Sequence, residues 1–107
     1  MIRVDFYTLP EGGLLGFQME GHAGMGEAGE DIVCAAVSSA AYLTVNTITD
    51  VLAVAPLQLR AREGEMALRI GQRDEPACRV TLAGLKLHLL GLEEQYPESI
   101  RVSYMEM

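Results

Sequence analysis

The sequence predicts an α+β domain of element order ββαββαβ, a mostly antiparallel sheet packed against two helices. Three observations predict it. Alternating apolar and polar segments at 2–8 and 14–20, and again at 57–62 and 65–70, flank glycine turns, the pattern of two β-hairpins. A long apolar run from Ile32 to about Ala55 follows a glycine-rich stretch. A third segment, between Asp74 and Pro97, carries one apolar stripe at spacings of three and four. Neither hairpin nor helix can bury its apolar face alone, so one core between sheet and helices is the economical arrangement.

Each element has its own signals. Ile2, Val4 and Phe6 share one face of the first strand, and Leu15, Phe17 and Met19 one face of the second. Glu11-Gly12-Gly13 supplies the turn between them. The stretch from Gly21 to Gly29 holds four glycines in nine residues. Glycine loses so much backbone freedom on ordering that a mobile loop is expected there, one that closes only over a bound substrate. Asp31 reads as a helix N-cap and Pro56 as that helix's stop. Glu63-Gly64 turns the second hairpin. Asp74-Glu75-Pro76 opens the second helix, whose stripe is Cys78, Leu82, Leu85, Leu89 and Leu92. Pro97 ends it, and Ile100, Val102 and Tyr104 alternate along a final strand.

The length of 107 residues fits one domain, residues 1–107. Half of the residues are apolar. A chain this short buries only about two-thirds of its unfolded surface, so some apolar residues are expected outside, and a homodimer would cover them. No apolar stretch of about 18 residues runs without polar breaks, so no membrane span is expected. The alternating N-terminus lacks the charged start and apolar core of a signal peptide, so a cytoplasmic protein is expected. Cys34 and Cys78, far apart in the chain, are then free thiols. The two cysteines and two histidines lack the paired short spacings of a zinc site, and no metal or cofactor is expected. A net charge of −7 argues against binding nucleic-acid phosphates and for a basic peptide partner.

Two residues carry candidate chemistry. If Asp31 caps the first helix, Cys34 lies in its first turn, where unpaired backbone N–H groups favour a thiolate, the nucleophilic form of the side chain. Ser38 and Ala41 share its face and are small enough for a peptide to approach the sulfur. His22 ends the second strand and opens the glycine-rich stretch, a good place for a general base. Cys78 and His88 sit on or beside the leucine stripe and read as structural. A redox role would want a second cysteine close to Cys34, and there is no C-x-x-C.

Gly21-His22-Ala23, the Gly/Glu-rich stretch after it, and Gly29-Glu30-Asp31-Ile32-Val33-Cys34-Ala35-Ala36-Val37-Ser38 resemble the signature of the ribosomal-processing cysteine proteases, the Prp family. The length, the opening strand, the asparagine in the first helix and Glu94-Gln95-Tyr96-Pro97 resemble that family too. The resemblance implies that Cys34 is the nucleophile and His22 its base, with Gly21, Asp31 and Ser38 in support. It also implies a homodimer and a substrate. The substrate is the N-terminal extension of a large-subunit ribosomal protein, number twenty-seven, cut after an aromatic pair and before a small residue. The competing class is a ribosome-assembly factor that binds a basic ribosomal protein without cutting it, for which Cys34 would be dispensable.

Overall fold

The computed structural model describes residues 1–21, 28–62 and 64–107, with 28–31 described by backbone alone. The elements are β1 (Ile2–Thr8), β2 (Leu14–Glu20), α1 (Ala28–Asn46), β3 (Gln58–Arg62), β4 (Glu65–Arg69), α2 (Glu75–Gln95) and β5 (Ile100–Glu106). This is the expected ββαββαβ order. A π-helical turn, Thr47–Val51, extends α1, and a short 3-10 turn, Gln72–Asp74, precedes α2.

The five strands form one sheet in the order β3-β4-β2-β1-β5. β2 pairs antiparallel with both β1 and β4, and β3 pairs antiparallel with β4. β5 lies parallel to β1, Ile2 opposite Ile100. Period-two alternation sends Ile2, Val4, Phe6, Phe17, Met19, Met66, Leu68 and Ile100 to the buried face. The helices cover that face with Val33, Val37, Ala41, Val45 and Ile48 on one side and Cys78, Leu82, Leu85 and Leu89 on the other. These side chains make one hydrophobic cluster. Phe6 and Phe17, both fully buried with ring centroids 6.3 Å apart, sit in it. Each contributes roughly 1.5–3 kcal/mol by leaving water.

Gly16 interrupts the alternation of β2 for a reason of space. Its φ is +137°, and a Cβ there would lie 1.9 Å from the Leu68 carbonyl oxygen on β4. Only glycine lets the two strands approach that closely.

Three expectations about the first helix need correction. It begins at Ala28, so Asp31 lies within its first turn and does not cap it. Acidic residues are favoured both at an N-cap and in a first turn, so the sequence signal did not separate the two. Cys34 consequently sits in the second turn, beyond the helix's unpaired N–H groups. The helix also stops short of Ala55: the ladder slips into the π turn, Leu52 N–H donates to the Thr47 carbonyl (2.8 Å), and Ala53 takes φ +55° to end it.

The segment Ile32–Val51 is, by length and apolarity, long enough to cross a membrane, with a mean hydropathy of 1.5. The polar breaks are sparser than their number suggests, because Ser, Thr and Asn weigh little against Ile, Val and Leu. In the fold one stripe of this helix lies on the sheet, while Ile32, Leu43 and Val51 face outward.

Candidate active site

A cleft of about 350 Å³ opens where α1 crosses one end of the sheet. Its helical wall is Cys34, Ser38 and Tyr42, spaced four apart. A helix turn is 3.6 residues, so these three form a row beside the core row Val33, Val37 and Ala41. The sheet supplies Ile2 from β1, Met19 and Glu20 from β2, and Glu65 and Met66 from β4. Arg62 and Gly64 close it from the β3–β4 turn. Cys34 is half-buried, with part of its surface packed on the core and part facing the cleft.

Gly21 lies on this cleft as well. Its N–H donates to the Gly64 carbonyl (3.0 Å), tying the end of β2 to the β3–β4 turn. Its φ is +102°, and a Cβ there would meet the Met1 carbonyl oxygen at 2.4 Å. The residue preceding His22 is thus pinned on the cleft that Cys34 also lines, in a conformation that glycine alone adopts freely. His22, the expected base, and residues 23–27 of the expected loop lie outside the described residues, as does the Asp31 side chain.

The other candidates separate cleanly. Cys78 is fully buried in α2's core stripe. Burial pushes its thiol up from the ordinary value, and the carboxylates of Asp74 and Glu75 add to the shift. It is a protonated core residue, consistent with its structural reading. His88 is exposed at the rim of a separate groove between α1 and α2. Among the described residues no group of three or more His, Cys, Asp or Glu could hold a metal ion.

The cleft rim is polar. Glu65 receives Arg60 at 2.9 Å and stands 4.0 Å from Arg62. Glu20, directly across the strands from Glu65, has no ion-pair partner among the described residues. Below this rim lie Ile2, Met19 and Met66, all buried. A trough with an apolar floor, a half-buried thiol on one wall and charged edges can hold an extended peptide against a nucleophile.

Sequence reasoning missed Tyr42 and the strand ends. Tyr42 was legible as the next position on the Cys34–Ser38 row. Ile2, Met19 and Met66 were not, because only the sheet order brings them to the sulfur.

Comparison with known proteins agrees with this geometry. The sequence profile of the family described as cysteine protease Prp matches residues 1–101. The ribosomal processing cysteine protease Prp of Staphylococcus aureus is 32% identical over 105 residues, covering 97% of this chain and 99% of that protein. The protein of the same name from Bacillus subtilis is 26% identical over 108 residues, covering 96% of each. Among solved structures, the S. aureus protease in complex with a substrate peptide is similar at a TM-score of 0.86 and 31% identity, covering 98% of this chain and all of that one. The same protease with a covalently linked product peptide gives a TM-score of 0.85 and 32% identity over equal shares.

Proposed function

The chain belongs to the Prp family of cysteine proteases, and from that premise we propose that Cys34 is its nucleophile, His22 its general base and acid, and a ribosomal protein its substrate. The observation that carries the proposal is the placement of Cys34 and Gly21, the residue before His22, on one peptide-sized cleft. A similar protease captured with a covalently linked product peptide supports a covalent route over simple binding.

The steps follow from thiol chemistry. His22 takes the thiol proton, and the Cys34 thiolate adds to the scissile carbonyl. The tetrahedral intermediate collapses when the His22 imidazolium protonates the departing amine. The resulting thioester is hydrolysed by water that His22 deprotonates. The developing oxyanion needs N–H donors, and the unpaired amides of the first turn of α1, residues 28–31, are the set proposed to supply them. A helical Cβ tilts toward the N-terminus, so the sulfur leans toward those donors. Ser38, one turn on, keeps the approach open, and Gly21 sets where the chain delivers His22. Asp31 supports the site from the same first turn.

The substrate proposed is the N-terminal extension of large-subunit ribosomal protein twenty-seven, cut in the cytoplasm after an aromatic pair. The apolar floor suits that pair, and the net charge of −7 suits a basic ribosomal partner. A homodimer is proposed too. Leu43, Val80 and Leu87 are each more than two-thirds exposed on the helical layer, and a second copy would cover them. Light scattering should then give about twice the chain mass of 11.6 kDa.

Mixing the protein with the extended ribosomal protein and weighing the products tests the function. A single cut between the aromatic pair and the following small residue, lost in Cys34→Ala and nearly lost in His22→Ala, is expected. Cutting by a folded Cys34→Ala variant would refute the assignment and favour a binding-only assembly factor.

A further inference from the structure

Tyr42 has no task in the chemistry above. It is a large aromatic, 47% exposed, on the wall of the cleft that holds Cys34. Among the described residues it makes no hydrogen bond and no ring contact. A half-exposed aromatic on a helix face usually covers apolar neighbours or pairs with another ring. This one presents a free face to the trough.

Its position along the helix sets what it can touch. Tyr42 is eight residues beyond Cys34, and a helix rises 1.5 Å per residue, so the two lie about 12 Å apart along the axis. An extended peptide advances about 3.3 Å per residue. A peptide lying along α1 with its scissile carbonyl at Cys34 therefore brings its third or fourth residue from the cut to Tyr42.

We infer that Tyr42 is a specificity-determining residue, forming a subsite for an apolar side chain three or four residues from the scissile bond. The same cleft has an apolar floor in Met19 and Met66, which favours an apolar side chain against the ring. An aromatic face also offers stacking or edge contact to a branched or aromatic side chain. The cleft of about 350 Å³ runs from Cys34 to Tyr42 along the row on α1, so a bound peptide can meet both. The inference rests on the assignment of Cys34 as nucleophile.

The test is cleavage of synthetic peptides spanning the cut site of the ribosomal extension, with each position from two to five residues either side replaced in turn by alanine. The wild-type enzyme should lose roughly tenfold in kcat/KM, mostly through KM, at one position three or four residues from the cut. A tenfold loss corresponds to about 1.4 kcal/mol. Tyr42→Ala should show the same loss on the parent peptide and become insensitive to alanine at that one position. Tyr42→Phe should restore the wild-type pattern, because the ring makes the contact. The inference is overturned if Tyr42→Ala keeps the wild-type positional pattern, or if its loss falls in kcat alone and equally on every peptide. Failure of the nucleophile assignment reads differently, as cleavage by Cys34→Ala.

Discussion

Gly12 and Gly21 allow a steric effect at the site to be separated from backbone strain. Their φ angles are nearly equal, +100° and +102°. A Cβ on Gly12 meets nothing within 4 Å, whereas one on Gly21 meets the Met1 carbonyl oxygen at 2.4 Å. Met1 O cannot swing aside, because its peptide also carries the Ile2 N–H, which donates to the Ser99 carbonyl at 2.8 Å. Gly12→Ala should therefore cost the left-handed strain alone, about 1–2 kcal/mol. Gly21→Ala adds a backbone clash of the kind that costs about 1–3 kcal/mol when a packed site is overfilled, for a total of about 2–5 kcal/mol. In urea the two midpoints should fall in that order. For a domain this size each kcal/mol lowers Tm by roughly 4–8 °C. Activity should divide more sharply: Gly12→Ala cuts normally below its Tm, while Gly21→Ala loses cutting even where it is folded, since relief of the clash moves the chain that delivers His22. Equal stability losses, or a folded Gly21→Ala enzyme with full activity, would refute the reasoning.

Three further outcomes are expected. Ala53→Gly should raise stability by up to about 1 kcal/mol, because Ala53 ends the first helix at φ +55°, a conformation glycine adopts without penalty; thermal melting reads it. Glu75 is buried at the start of α2, and its hydrogen bonds with Arg79 hold its carboxyl below the ordinary value. A depressed carboxyl stabilises the fold above its unfolded pKa and loses that contribution as pH falls through the folded value. Glu75→Gln should thus melt earlier than wild type at neutral pH and converge with it in acid, and a gap that persists undiminished in acid would count against the pairing. Alkylation of the native protein should add one adduct, at Cys34, since Cys78 is buried with its thiol pushed up; peptide mass spectrometry locates it, and comparable labelling of Cys78 would contradict the packing.

The strands were legible because period-two alternation is local: Val4, Phe6, Phe17, Met19 and Leu68 announced their faces directly. Their neighbours were not, because the placement of β2 between β1 and β4 depends on contacts far apart in the chain. The start of α1 was misjudged by four residues, Ile32 expected after an Asp31 cap and Ala28 observed. Asp31 satisfies the preference for acid at a cap and the preference for acid in a first turn equally well, and Gly29 looked too costly to be helical. The thiol argument built on a first-turn Cys34 weakens accordingly, although Cys34 does line the cleft. Gly21 was named through its neighbour His22, but what makes glycine obligatory there is the Met1 carbonyl, twenty residues upstream. That contact has no signature in the sequence.

The parallel pairing of β1 with β5 sets when in its life the protein can acquire a working cleft. Ile2 lines the trough, yet its N–H is anchored to Ser99 and its strand is flanked by a partner that begins at Ile100. The strand that begins at Ile2 thus waits for one that begins at Ile100. Contacts this distant in sequence form slowly, because the whole intervening loop must be closed before they return any stability. A chain still leaving the ribosome has the cysteine but neither the strand that fixes the floor nor the carbonyl that orients it. A protease that acts on ribosomal proteins would then be inert while it is itself a nascent chain. A version cut back to Ser99 should show no cleavage and no cooperative melting transition, whereas a fully active truncated enzyme would mean that β5 is dispensable to the cleft.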